Sequence, residues 1–180
     1  SAEPVTSADL PFLAALWSDE RVTRMLGGPR SAGQVERILD EAVRHRQVHG
    51  FGRWIIRRAG VPLGTVKLAT CQVRGRDEVE LGYALMPDAW GQGATEAGGG
   101  ALSFAGEAAG LTEVVAFALQ CNTSSFAVME RLGFMREGQF DLPAGPHWLY
   151  RKDLAEERRR DHSSRPPPDR FMCSLCPLSL

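Results

Sequence analysis

Apolar residues recur along this chain at two periods, and the switch between them divides it into elements. Thr6 and Ser7 ahead of Ala8, Asp9 and Leu10 read as a helix start, with Leu13, Leu16 and Trp17 on one face. Ser31 is a stronger start, because Gln34 stands three residues on, where the two residues can satisfy each other's unpaired N–H groups. Val35, Ile38, Leu39, Ala42 and Val43 follow at the spacing of an amphipathic helix. Gly27, Gly28 and Pro29 break the chain between the two helices.

The period then drops to two. Trp54 to Ile56 reads as a strand, Ala59-Gly60 as a turn and Leu63 to Ala69 as a second strand, together a hairpin. Val79, Leu81, Tyr83 and Leu85 alternate with Glu80, Gly82, Ala84 and Met86, which predicts a third strand over 78–86. Pro87 cannot donate to a ladder and ends it. A helix is predicted from Thr95 to Ala109, stopped by Gly110, and the apolar run Val114 to Leu119 reads as a strand covered on both faces. Phe126, Val128, Met129 and Leu132 belong to a short helix ended by Gly133. A last strand pair, near Phe140 and over 148–151, completes an α/β domain. Ahead of the first helix only Pro4 and Val5 are available for a strand.

These elements place one domain at residues 1–154. Residues 155–180 hold Arg158 to Arg160 and Pro166 to Pro168 without usable periodicity, the composition of a disordered basic, Pro-rich tail. Composition narrows the function classes. Apolar residues make up 43% and charged residues 24%, and the formal net charge is −1, so no strong field calls for nucleic acid or an anionic membrane. No apolar run approaches the roughly 20 residues of a membrane helix, and without a basic segment followed by an apolar one at the start of the sequence no export signal is expected. A cytoplasmic protein with reduced thiols is expected, Cys71 and Cys121 being buried free cysteines. Cys173 and Cys176 form a CxxC without further ligands at zinc spacing, so no metal is expected.

The chemistry centres on the strand, glycine loop and helix around Gly91, Gln92 and Gly93. A helix start leaves main-chain N–H groups unpaired and carries a partial positive charge, and the glycines let the main chain approach a phosphate. Glu96 stands where a dinucleotide fingerprint needs its third glycine, and no Lys-Ser/Thr follows for a P-loop.

The stretch ELGYALMPDAWGQGATEA over 80–97 resembles the cofactor motif of GNAT acetyltransferases, especially the RimJ/RimL-like branch that modifies ribosomal-protein N-termini. NTSSFAVMERLGF over 122–134 resembles that branch's second signature. The resemblance spans roughly residues 5–154. It implies a GNAT fold, an α+β arrangement with a mixed, mostly antiparallel central sheet splayed at the cofactor site and helices on both faces. It also implies acetyl-CoA as co-substrate. Pantetheine would pair with main chain near Ala84 and Leu85, and its amides would bond Asn122. The pyrophosphate would sit on N–H groups of Gly91, Gln92, Gly93, Ala94 and Thr95. The loop departs from the family pattern: one residue fewer lies between Gly93 and the ATEA run, and Gly98 to Gly100 weaken the helix start.

Acetyl transfer needs a neutral amine, a stabilised oxyanion and a proton for the departing thiolate. Glu80, on the strand face shared with Gly82 and Ala84, is the candidate base or a plain solvated carboxylate; Glu78 is the runner-up. The branch resembled places a Ser at N-x-x-S as general acid, which Ser125 matches, although a Ser there also suits an N-cap. The position seven residues after Asn122, where many relatives carry Tyr, is Met129. Main-chain N–H near Leu85 would hold the oxyanion. His147 and Trp148 either line the acceptor pocket or simply start a strand. The implied partners are acetyl-CoA and an amine, in a monomer or homodimer. The favoured acceptor is a peptide or protein N-terminal α-amine. An antibiotic or polyamine acceptor, or a degenerate acyl-CoA-binding module, stands as the alternative.

Overall fold

The computed structural model describes residues 1–91 and 93–155; Gln92 and the tail predicted beyond 155 lie outside the described residues. Strands β1 (Ala2–Pro4), β2 (Arg53–Arg58), β3 (Val61–Val73), β4 (Arg76–Leu85), β5 (Glu113–Leu119), β6 (Met135–Leu142) and β7 (Gly145–Asp153) form one sheet. Its order is β1-β2-β3-β4-β5-β7-β6. The helices are α1 (Leu10–Ser18), α2 (Glu20–Thr23), α3 (Ala32–His49), α4 (Ala94–Glu107) and α5 (Thr123–Arg131).

The helical starts follow their caps. Ser31 and Gln34 close the predicted reciprocal box, the Ser31 N–H donating to Gln34 Oε1 at 2.7 Å. Thr6 and Asp9 close a second box at the 3-10 turn before α1, with the Thr6 N–H on Asp9 Oδ2 at 2.8 Å.

Strand register assigns the two faces. Arg53, Ile55, Thr65, Lys67, Glu80, Gly82 and Ala84 share one face, since Arg53 pairs with Lys67, Lys67 with Gly82 and Thr65 with Ala84. On that face α1 and α3 bury Leu13, Leu16, Trp17, Val35 and Leu39 against Ile55 and Ala84. The opposite face carries Val66, Leu68, Leu81, Leu85, Val114 and Ala116. It packs on Ala101, Leu102 and Ala105 of α4 and Met129 of α5. Gly98 belongs to this packing: a Cβ there would stand 2.7 Å from Leu132 Cδ1.

The sheet is splayed where expected. β3 and β4 pair without interruption from Gly64–Leu85 to Val73–Arg76, whereas parallel β4 and β5 meet only at Glu80–Val115. β5 in turn pairs with β7 along its whole length. Beyond Glu80 the two central strands part, leaving unpaired main chain on both sides of a wedge.

Three expectations differ from the fold. The first strand is Ala2–Pro4, short but paired with β2, and Val5 extends it by donating to the Arg53 carbonyl at 3.1 Å. α2 had no periodicity to announce it. Asp19 starts it by accepting the Arg21 N–H at 2.8 Å. Neither Cys71 nor Cys121 is buried as expected: Cys71 is half-buried on β3, and Cys121 is exposed because β5 stops at Leu119 and the thiol falls in the turn before α5.

Candidate active site

Beyond β4 the chain turns through Pro87–Ala89, and Gly91 and Gly93 adopt φ of +73° and +100°. Those left-handed angles suit glycine, and Gly93 becomes the N-cap of α4. It supplies no side-chain acceptor, so the first N–H groups of the helix, from Ala94 and Thr95, have no side-chain cap; the Gly93 carbonyl is met first by Ala97 N–H at 2.9 Å. The partial positive charge at the head of this 14-residue helix is thus presented on main chain, which fits a phosphate group. Arg58 adds a cation nearby: its Nη2 lies 3.8 Å from where a Cβ on Gly93 would stand. Nothing in the strand pattern of β2 had marked Arg58 for this position.

The wedge between β4 and β5 begins just upstream of the loop. Met86 N–H donates to Leu63 on β3 at 2.8 Å, and the alternation of the ladder therefore turns the Leu85 main chain toward the wedge. Its carbonyl accepts the Trp90 indole N–H at 2.9 Å. Ala84 lies one residue back with its carbonyl against Gly64, where a Cβ would come within 2.3 Å of that oxygen. On the far side, Asn122 is the N-cap of α5, and its Oδ1 accepts the Ser125 N–H at 3.3 Å. Ser125 is therefore the third residue of the helix rather than its cap. The Tyr83 hydroxyl reaches across and donates to the Ser125 carbonyl at 3.2 Å, and burial pushes that phenol's pKa up. Sequence alternation marked Tyr83 only as an apolar-face strand residue.

Glu80 stands at the mouth of the wedge, paired in register with Val115. The space over Gly82, where no side chain stands beside Glu80, is filled: Lys67 lies across it, its Cε 2.5 Å from a Gly82 Cβ position, and places Nζ 2.6 Å from Glu80 Oε2. Glu78 is held differently. Arg151 grips both its oxygens at 2.8 and 3.0 Å, and this guanidinium keeps the carboxyl below its usual range despite burial. With both oxygens occupied this carboxylate is a poor proton acceptor, whereas Lys67 engages Glu80 through Oε2 alone among the described residues. Cys71, on the same face, has its thiol pushed up to about 11 by burial and then by the Glu80 charge. His147 is buried beside Phe117 and Phe140, with Nδ1 2.8 Å from the Gly145 carbonyl; it belongs to the start of β7.

On the same sheet face Arg53 lies over the Trp17 ring at 5.5 Å, and its Nη1 donates to Thr65 Oγ1 at 3.0 Å. Its Nε is buried without a hydrogen-bond partner, and so is Trp17 Nε1. Each such orphan costs about 1–3 kcal/mol. Burial pushes the Arg53 pKa down to about 10, with the Glu80 charge opposing that fall. Among the described residues no cluster of His, Cys, Asp or Glu could hold a metal ion, and no helix is long and apolar enough to cross a membrane.

A helix-headed anion cradle beside a wedge in a mixed sheet defines an acyl-CoA-type transferase. Residues 2–135 match the Acetyltransferase (GNAT) domain family, and the chain belongs to it. It is an acetyltransferase that uses acetyl-CoA as co-substrate. The chain is 28% identical over 140 residues to the uncharacterized N-acetyltransferase YoaA of Bacillus subtilis (strain 168), covering 74% of this chain and 78% of that one. In fold it is similar to the aminoglycoside acetyltransferase AAC(6')-Ib in complex with coenzyme A, with a TM-score of 0.74 and 17% identity over 89% of this chain and 98% of the other. It is also similar to RimL, a ribosomal L7/L12 α-N-protein acetyltransferase in complex with coenzyme A, with a TM-score of 0.72 and 16% identity over 84% and 92%.

Proposed function

We propose that this protein transfers the acetyl group of acetyl-CoA to the N-terminal α-amine of a peptide or protein, as a member of the RimJ/RimL-like branch. The observation that carries the reading is the placement of Glu80 and Ser125 on the two sides of one wedge, with the α4 cradle at its end. Acetyl-CoA supplies the activated thioester. Gly91, Gln92, Gly93, Ala94 and Thr95 would hold its diphosphate, Asn122 its amides, and Ala84 and Leu85 would flank the arm. For Leu85 to offer its carbonyl, Trp90 must give up the bond it now makes there.

Glu80 takes the proton that the ammonium of the acceptor must lose. An α-amine with a pKa of about 7.7–8 needs far less help than a lysine near 10.4, so one modest carboxylate base suffices. Main-chain N–H near Leu85 faces the developing negative charge on the carbonyl oxygen. Ser125 returns a proton to the departing sulfur, and Tyr83, bonded to the Ser125 carbonyl, fixes the first turn of α5 against β4.

The acceptor side of the sheet argues against polycations. AAC(6')-Ib acts on an aminoglycoside by name, yet here Arg53 and Lys67 share the face of Glu80, and Lys67 already neutralises that carboxylate. A panel of peptides, spermidine and kanamycin assayed with acetyl-CoA tests the reading. Acetylation of free peptide N-termini above the small amines is expected, and turnover confined to polyamines or aminoglycosides would overturn it. Titration calorimetry with acetyl-CoA separates an enzyme from a degenerate module, which would give no heat at millimolar cofactor.

A further inference from the structure

Arg53 and Trp17 hold the two side-chain N–H donors that are buried and unpartnered among the described residues, and the two side chains touch each other. Arg53 stands on the sheet face that carries Glu80, and Trp17 reaches it from α1, which packs on that face. Orphaned buried donors are rare in folded proteins, and two in contact call for an acceptor oxygen, which a bound water or a ligand can supply. A cavity of about 260 Å³ opens beside Arg53 under α3, lined also by Lys67, Glu41, His45 and Thr70, with Trp17 behind the guanidinium rather than in the lining.

The charges around this cavity decide what the ligand carries. Lys67 is spent on Glu80. His45 accepts the Thr70 N–H at Nε2, at 3.0 Å, and so faces the Phe51 carbonyl with a protonated Nδ1, at 2.9 Å. Glu41 is an exposed residue of α3. Arg53 therefore stands as a guanidinium whose only side-chain hydrogen bond among the described residues goes to a neutral hydroxyl. The Nε edge of a guanidinium matches a carboxylate in geometry and charge.

We infer that Arg53 and Trp17 form a carboxylate subsite for the acceptor. This rests on the proposal that an amine is acetylated beside Glu80. Arg53 and Gly82 are separated by β3, and Glu80 stands two residues further along β4, so the main chain of Arg53 lies roughly 12 Å from that of the base. That separation is too wide for the ammonium and carboxylate of one α-amino acid. It suits a peptide N-terminus whose second residue is Asp or Glu.

The test compares Ser-Glu-Ala amide with Ser-Gln-Ala amide, as substrates and, in N-acetylated form, as ligands titrated into the protein loaded with coenzyme A. Expected is at least a tenfold preference for the Glu peptide in kcat/KM and in Kd, reduced below threefold by Arg53→Gln. Trp17→Phe, which keeps the ring and deletes the N–H, should lower the preference by about half and serves if the Arg53 variant fails to fold. Equal affinity of wild-type protein for the two acetylated peptides would overturn the subsite, whatever the turnover. Preferential binding with no acetylation of either free peptide would instead overturn the transferase reading and leave the subsite standing.

Discussion

Lys67 reaches Glu80 by lying across Gly82, which brings Nζ to 2.6 Å from Oε2. Any side chain at position 82 would displace the lysine, so a glycine that reads as a weak strand residue is the passage for this contact. If Glu80 is the base, Glu80→Gln should lower kcat/KM for a peptide acceptor by about 10²- to 10⁴-fold. Acetyl-CoA affinity, read by calorimetry, should stay within a factor of two. Gly82→Ala should reproduce part of the loss by moving Lys67. An unchanged rate in Glu80→Gln would remove the carboxylate from the reaction.

Ser125 and Tyr83 meet across the wedge, and their roles separate on substitution. Ser125→Ala should reduce kcat far more than it weakens acetyl-CoA, because only the departing sulfur loses a donor. Tyr83→Phe deletes the bond to the Ser125 carbonyl, worth about 1 kcal/mol net, and should cost a few-fold in kcat. The reverse ranking would assign the proton to the phenol, whose pKa burial already raises.

Glu78 gives the fold a dependence on acid. Its folded pKa is depressed by Arg151, so its stabilising share is fully present above the unfolded value of about 4.3 and is lost as pH falls through the lower folded value. Wild-type protein should therefore lose melting temperature below about pH 5 more steeply than Glu78→Gln. At pH 7 the variant should be less stable by about 2 kcal/mol. Glu137 and Glu113, at 2.6 and 3.1 Å from Arg151, keep that cation paired in the variant. Parallel melting curves from about pH 7 down to about pH 2 would refute the assignment.

The glycine run at the start of α4 divides by what each residue meets. A Cβ on Gly98 would press on Leu132, whereas nothing lies within 4 Å of one on Gly100. Gly100→Ala should accordingly raise stability by about 0.5–1 kcal/mol. Gly98→Ala should gain nothing or lose stability, since the helix preference it recovers is spent on moving a buried leucine. Thermal denaturation of both variants decides between close packing and mere tolerance as the reason for Gly98.

What sequence could foresee followed the range of the interactions. Alternation through Val79–Met86 announced β4 and its faces, and the Ser31–Gln34 spacing announced α3, because each is settled within a few residues. The splay came from motif resemblance, and the lone Glu80–Val115 pairing agrees with it. Contacts between distant residues were out of reach. Arg151 lies 73 positions from Glu78, and Arg53 read as an ordinary strand residue until α1 set Trp17 against it. The resemblance makes Asn122 a cofactor contact. Its bond to the Ser125 N–H makes it the cap of α5 here, with its side-chain N–H₂ still available to a ligand.

The phosphate loop carries the sharpest prediction. Gly93 is both the second loop glycine and the N-cap, so α4 begins at Ala94 without the intervening residue that the family pattern places there. A missing residue turns at least one N–H away from the diphosphate, and a hydrogen bond to a charged group is worth about 1.5–3 kcal/mol. Inserting one glycine after Gly93 should therefore tighten acetyl-CoA by roughly ten- to hundredfold, a factor of ten being about 1.4 kcal/mol. The gain should vanish with acetyl-pantetheine, which lacks the diphosphate, since only that group meets the loop. Affinity that stays constant or falls would mean that Gly91, Gly93 and the head of α4 already grip the diphosphate fully, with Arg58 beside Gly93 supplying what the shorter loop withholds.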